Sequence, residues 1–282
     1  FFITVLATTG VLIVLALLSV FLPVNDLNIA GMTMSVYNLI SQYILIIGSI
    51  VALVFLAVAG NEKRAAAGLT RQNWKSAVLI VLAFVGIYIV RTVVSVAVQG
   101  VSDGSGMQYV KEWAAMFKNP MMWLNIAALP INYFFVFIAF FGEEYGWRYY
   151  LQPVLQKRFG LRAGVIILGV VWGLWHIPDD LFYYTQTSGI QMIFAQQITC
   201  ISLGIFFAYA YMKTQNIWVP VCLHYLNNNL IPIISGTFSA DVLENQTVSW
   251  KDLPVALVLN GLCFGFFLLA DVFKKKEVQE EE

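Results

Sequence analysis

Charge is what this chain has least of. Only 11% of its 282 residues are charged and 60% are hydrophobic, whereas about a quarter of a soluble domain is charged. A soluble globular domain is thereby excluded, and a polytopic membrane protein is implied, with lipid supplying the burial. The formal net charge is zero, which excludes a strongly basic face; the expected partner is the lipid bilayer and not nucleic acid. Cysteine is scarce as well. Cys200, Cys222 and Cys263 lie in apolar runs, odd in number and without CxxC spacing. That excludes a disulfide framework or a structural zinc site and leaves small buried residues. Neither HExxH nor a GxSG serine motif occurs. Phe1 opens inside an apolar run with no Met and no basic n-region, which leaves open a native start upstream and gives no basis for judging whether a targeting signal is present. Nothing in the sequence speaks to oligomeric state.

Long apolar runs are abundant. A spanning helix needs about 20 mostly apolar residues. On that measure eight spans are expected, at 1–22, 35–59, 77–99, 131–152, 163–183, 190–212, 216–235 and 253–273. The segment 120–130, "PMMWLNIAALP", reads as an interfacial or re-entrant lead-in, with a longer helix kinked at Pro130 as the alternative. The fold class is all-α, with about eight transmembrane helices in one bundle. Residues 1–273 form a single transmembrane domain with a catalytic core at 131–235, and 274–282 form a charged, disordered cytoplasmic tail.

Loop charges alternate as eight spans require. Lys63, Arg64, Arg71 and Lys75 fall on one side with Lys157, Arg158, Arg162, Lys213 and Lys274 to Lys276. The intervening loops carry Asp26, Asp103, Asp179, Asp180, Asp241, Glu244 and Asp252, and only Lys111, Lys118 and Lys251. The positive-inside rule then places both termini in the cytoplasm. Asp179 and Asp180 are expected in a loop near the outer surface.

Ionisable residues within spans point to function by default. They are Arg91, Glu143, Glu144, Arg148, His176, His224 and Asp271, accompanied by Gln196, Gln197, Thr199 and the run Asn227 to Asn229. The chain has only two histidines, and both are in this group. A fourth span starting at Ile131 puts Glu143 roughly 18 Å in at 1.5 Å per residue, a depth similar to that of His176. Glu144 and Arg148, at i,i+4, can pair on one helical face, leaving Glu143 about 100° away. His224 and Asn228 share a face, as do Trp172 and His176. A carboxylate, two imidazoles and an amide suit hydrolysis by activated water with oxyanion stabilisation. Glu143, His176 and His224 could alternatively hold a divalent metal such as zinc, and the residues leave the cofactor undecided between none and such a metal.

Simpler readings exist for each residue alone. The acidic pair could mark a helix leaving the bilayer, and either histidine could be a core residue. The three asparagines could break a helix before Pro232. Arg91 reads as a snorkelling or structurally paired residue, and the glutamines with Thr199 as packing or cavity lining.

Three motifs resemble one family. "EEYGWR" fits the EExxxR motif of the CAAX protease and bacteriocin-processing family of membrane endopeptidases, which includes the Ras-converting CAAX endopeptidase. "WGLWH" is similar to its second motif, an aromatic four residues before a histidine. "HYLNN" is similar to its last, a histidine four residues before Asn or Asp. The resemblance covers roughly 131–235. Its second motif usually starts with Phe, and Trp172 stands there instead. It implies that Glu143 and His176 activate the attacking water and that His224 and Asn228 stabilise the oxyanion. Glu144, Arg148 and Trp172 would support them. The implied substrate is a peptide or lipid-anchored protein tail, of the CAAX type or a bacteriocin or other leader. The mechanism would be glutamate- or metal-dependent. A non-proteolytic membrane scaffold or regulator, or a transporter, are the rival readings.

Overall fold

The computed structural model describes residues 1–22, 24–29, 32–102, 104–236 and 245–274. Asp103, Asp241, Glu244 and the tail beyond Lys274 lie outside the described residues. Helices dominate: α1 (Phe2–Phe21), α2 (Val36–Val58), α3 (Asn61–Ala66), α4 (Trp74–Ser102), α5 (Gln108–Met116) and α6 (Pro120–Glu144). They are followed by a π-helical segment (Tyr145–Leu151), α7 (Gln152–Phe159), α8 (Leu161–Trp175), α9 (Ile177–Phe182), α10 (Gly189–Thr214), α11 (Trp218–Ser235) and α12 (Asp252–Cys263). The exception is an antiparallel pair, β1 (Leu27–Ile29) and β2 (Met32–Met34), with Leu27 opposite Met34.

Among the described residues, six helices are long and apolar enough to cross a membrane: Phe2–Phe21, Val36–Val58, Trp74–Ser102, Pro120–Phe159, Leu161–Phe182 and Gly189–Thr214. The chain is thus an all-α, multi-pass membrane protein, but the expected seventh and eighth spans take other forms. The seventh is α11, 18 residues carrying His224 and three asparagines, too polar to count by composition. The eighth is the 12-residue α12 followed by two short 3-10 turns, Gly265–Leu269 and Asp271–Phe273.

The fourth span also differs from expectation. It starts at Pro120 and runs through Pro130 to Phe159 as 40 helical residues, so 120–130 is helix and not a lead-in. Forty residues rise about 60 Å, twice the ~30 Å hydrocarbon core, so depth cannot be counted from Ile131.

Two contact-dense units divide the chain: 1–70 with 128–143, and 71–127 with 144–282. In the first, Gly48, Ser49, Ala52 and Leu56 form the buried face of α2 at helical spacing. A Cβ at Gly48 would strike the Thr8 side chain, so α1 and α2 pack backbone-close. The Phe1 ring meets Phe141 edge-to-face at 4.9 Å.

In the second unit α10 is the central helix. Every residue from Ser202 to Ala208 is buried, the mark of a helix surrounded on all sides. A glycine seam on α8 lets α10 approach. A Cβ at Gly169 would lie 2.6 Å from the Ile201 Cα, and one at Gly173 would lie 2.6 Å from the Gln197 side chain. On another side the rings of Phe84, Phe206 and Phe264 pack at 5.6–5.9 Å. The loop before α4 is tied down by Asn73 Nδ2, which donates to the Thr214 carbonyl at 2.9 Å, and by Asn216 Nδ2, which donates to the Gln72 carbonyl at 2.9 Å.

The seam yields a prediction. Gly169→Ala should lower stability by about 1–3 kcal/mol through overpacking, read as a lower thermal unfolding midpoint in detergent. Gly86→Ala, in the interior of α4 where an added Cβ meets nothing within 4 Å, should not lower the midpoint and should raise it slightly.

Candidate active site

The acidic motif sits where α6 ends and the helix widens. Glu144 closes α6, and Arg148 lies inside the π-helical segment, a local form that recurs at functional sites. Both side chains have zero exposure. Arg148 Nε donates to Glu144 Oε2 at 2.9 Å, as the i,i+4 spacing predicts. Arg148 Nη1 donates to the Gly204 carbonyl at 3.3 Å. The guanidinium also lies 5.2 Å from the Trp172 ring centroid and 5.5 Å from that of Phe207, so the cation is held by carboxylate, carbonyl and two π-faces.

The sequence reading gave Glu144 wholly to Arg148. The structure adds a second partner: His224 Nδ1 lies 3.0 Å from Glu144 Oε1. His224 is 3% exposed. A carboxylate can only accept, so the neutral imidazole that serves it keeps its proton on Nδ1 and its lone pair on Nε2. The Trp172 ring packs edge-to-face on both imidazoles, at 5.4 Å from His224 and 5.8 Å from His176. Trp172 thus contacts both histidines as well as Arg148.

His176 ends α8. Its Nδ1 is 2.8 Å from the Trp172 carbonyl, one turn earlier. A carbonyl has no proton to give, so Nδ1 is the donor and Nε2 carries the lone pair in the neutral ring. The residue is half-buried.

A cavity of about 360 Å³ is lined in part by Trp172, His176, His224, Asn227 and Asn228. Gln196, Thr199 and Cys200 also line it, whereas Gln197 Nε2 donates to the Gly169 carbonyl at 3.3 Å and packs α10 on α8. The structure therefore brings His176, His224, Asn228 and Trp172 to one space, with Glu144 and Arg148 behind them. Glu143 is half-buried and closes the other unit, one residue before Glu144.

Other polar residues sort differently from their sequence reading. Helix α11 runs unbroken through Asn227, Asn228, Asn229 and Pro232. Arg91 Nε donates to Asn260 Oδ1 at 2.8 Å, a structural pairing. Asp179 is exposed as expected, but Asp180 is buried at zero exposure. It is not in a surface loop, because the chain coils again into α9 and its N–H donates to the His176 carbonyl at 2.9 Å. Asp271 is exposed and pairs with Lys274 at 2.7 Å. Tyr88 was not foreseen; its hydroxyl donates to Asn227 Oδ1 at 2.5 Å. Its only sequence signal was a polar atom within an apolar span. Among the described residues no three His, Cys, Asp or Glu side chains are grouped as a metal site would need.

Residues 125–230 match the model of a family described as type II CAAX prenyl endopeptidase Rce1-like. One curated relative, CAAX prenyl protease 2 of Methanococcus maripaludis, is 27% identical over 125 residues, covering 41% of this chain and 45% of that protein. The chain thus aligns with under half the length of that curated relative. No solved structure matches this chain.

The buried triad predicts a stability pattern. Arg148→Met should destabilise the protein by about 3–5 kcal/mol, because it strands a buried carboxylate. The double variant Arg148→Met/Glu144→Gln should recover a large part of that loss. Thermal unfolding in detergent measures both.

Proposed function

We propose, for a chain whose residues 125–230 match the model of the type II CAAX prenyl endopeptidase Rce1-like family, that it is an intramembrane endopeptidase of the CAAX protease and bacteriocin-processing kind. Its substrate is a prenylated, membrane-anchored protein tail, and the reaction is hydrolysis of a peptide bond in that tail. The observation that carries this reading is the convergence of His176, His224 and Asn228 on one cavity, with His224 backed by buried Glu144.

In this reading each group has a part its chemistry suits. His176, with Nδ1 committed to the Trp172 carbonyl, offers Nε2 as the base that takes a proton from water. Glu143 shares in activating that water; its part rests on the family motif. The hydroxide attacks the peptide carbonyl, and the carbonyl oxygen becomes an oxyanion. His224 and the Asn228 amide donate to that oxyanion. For His224 to donate from Nε2 while Nδ1 serves Glu144, the ring must carry a proton on both nitrogens. The proton held by His176 then passes to the leaving amine. Arg148 holds the Glu144 carboxylate in place, and Trp172 packs against both rings.

The test is cleavage by purified protein of a peptide panel, prenylated and unprenylated, including bacterial leader peptides. Prenylated tails should be cleaved and the others not. Removing the base in His176→Ala, or the carboxylate in Glu143→Ala, should reduce kcat by about 10²–10⁴-fold with unfolding unchanged. Wild-type rates in either variant would overturn the assignment, and cleavage of leaders alone would move the substrate class.

A further inference from the structure

We propose that Tyr88 and Asn227 are positioning residues that fix which end of the Asn228 amide faces the cavity. A primary amide presents a donor at Nδ2 and an acceptor at Oδ1, and only the donor stabilises an oxyanion. Something must decide between two orientations of nearly equal shape. The proposal rests on the reading above, in which Asn228 serves as an oxyanion donor.

Tyr88 sits on α4, 5% exposed. Its ring is held on three sides, by Phe84 at 4.9 Å, Phe264 at 5.0 Å and the Arg91 guanidinium at 5.8 Å. Arg91 is itself anchored by Asn260 at 2.8 Å. The hydroxyl therefore has a fixed place, 2.5 Å from Asn227 Oδ1. So short a separation belongs to O–H···O, whose usual length is about 2.7–2.8 Å, rather than to N–H···O at about 2.9–3.0 Å. Tyr88 thus donates and Asn227 accepts through its oxygen. That choice leaves Asn227 Nδ2 as the free end, and it donates to Asn228 Oδ1 at 2.9 Å. The acceptor of Asn228 is now consumed. Its Nδ2 has no protein partner among the described residues and belongs to a side chain lining the cavity with His176 and His224. Asn229 does not compete, because its Nδ2 donates to the Tyr225 carbonyl at 2.9 Å. Polarity therefore runs one way, from the tyrosine hydroxyl through two amides to the donor that faces the reaction.

Asn227→Asp tests this with almost no change of shape. Aspartate still accepts from Tyr88 but cannot donate to Asn228. The Asn228 amide should turn to donate to the new carboxylate and present its oxygen to the cavity. With purified full-length chain and a quenched farnesylated peptide, Asn227→Asp should lower kcat by about 10²–10³-fold. KM should stay within twofold and thermal unfolding should be unchanged. Tyr88→Phe, which removes only the donor that orients Asn227, should lower kcat by up to about tenfold. Placed in an Asn228→Ala background, Asn227→Asp should add no further loss, because it acts through the missing amide. The proposal is overturned if Asn227→Asp and Tyr88→Phe keep wild-type kcat while Asn228→Ala loses it. An equal loss from Asn227→Asp in the presence and absence of Asn228 also overturns it, since that marks a general structural effect. If Asn228→Ala itself cleaves at the wild-type rate, the oxyanion role of Asn228 fails first, and the relay fails with it.

Discussion

One buried carboxylate organises the second unit. Glu144 has zero exposure, with Arg148 at 2.9 Å on one oxygen and His224 at 3.0 Å from the other. An isolated charge in this setting is unfavourable by several kcal/mol, so its partners are structural requirements. Arg148 answers that requirement from within the same helix and reaches across to the Gly204 carbonyl of α10. His224 answers it from α11. A single ionised group therefore joins three segments, and the imidazole it fixes belongs to the cavity where His176 and Asn228 also lie. The same constraint explains the glycines around it. Gly169 and Gly204 face each other, and a Cβ on Gly204 would lie 3.4 Å from the Gly169 Cα and 3.9 Å from Arg148 Nη1. Larger residues would take the space that the guanidinium and the close α8–α10 contact need.

Much of this was legible in the sequence because it is local. The Glu144–Arg148 pair follows from i,i+4 spacing, and so does the edge-to-face contact of Trp172 with His176. The apolar runs gave the helical, multi-pass class and most span positions. The scarcity of histidine marked His176 and His224 without any geometry. Other features were not legible because they are long-range or depend on balance. Nothing in the order of residues ties Glu144 to His224, 80 positions away, or Tyr88 to Asn227. Pro130 could equally end a helix or sit within one, and only packing decides that it sits within. Run length alone could not separate a span from α11, whose polar residues face a cavity, or from α12, which gives way to 3-10 turns after Cys263. Asp180 looked like a loop residue from its proline and acidic neighbours, yet the chain turns back into α9 and buries it.

The family match falls on the same stretch, residues 125–230, that holds the buried triad, Trp172, His176 and Asn228. Tyr88 lies outside it, on α4, and so do the aromatic contacts that hold its ring. A hydrogen bond to Asn227, the neighbour of Asn228, is thus supplied by an otherwise apolar helix outside that stretch. An apolar span with one tyrosine hydroxyl is easily read as featureless. Here the hydroxyl is the start of a directed chain of hydrogen bonds.

The central claim is that Glu144 sets the protonation and orientation of His224. Because the chain has two histidines, selective ¹⁵N-histidine labelling in detergent micelles gives a spectrum of only two imidazoles. The account predicts a His224 Nδ1 that is protonated and hydrogen-bonded in the wild type. Its shift and pH response should change on Glu144→Gln while the His176 signals stay in place. His224 signals indifferent to Glu144→Gln would contradict it.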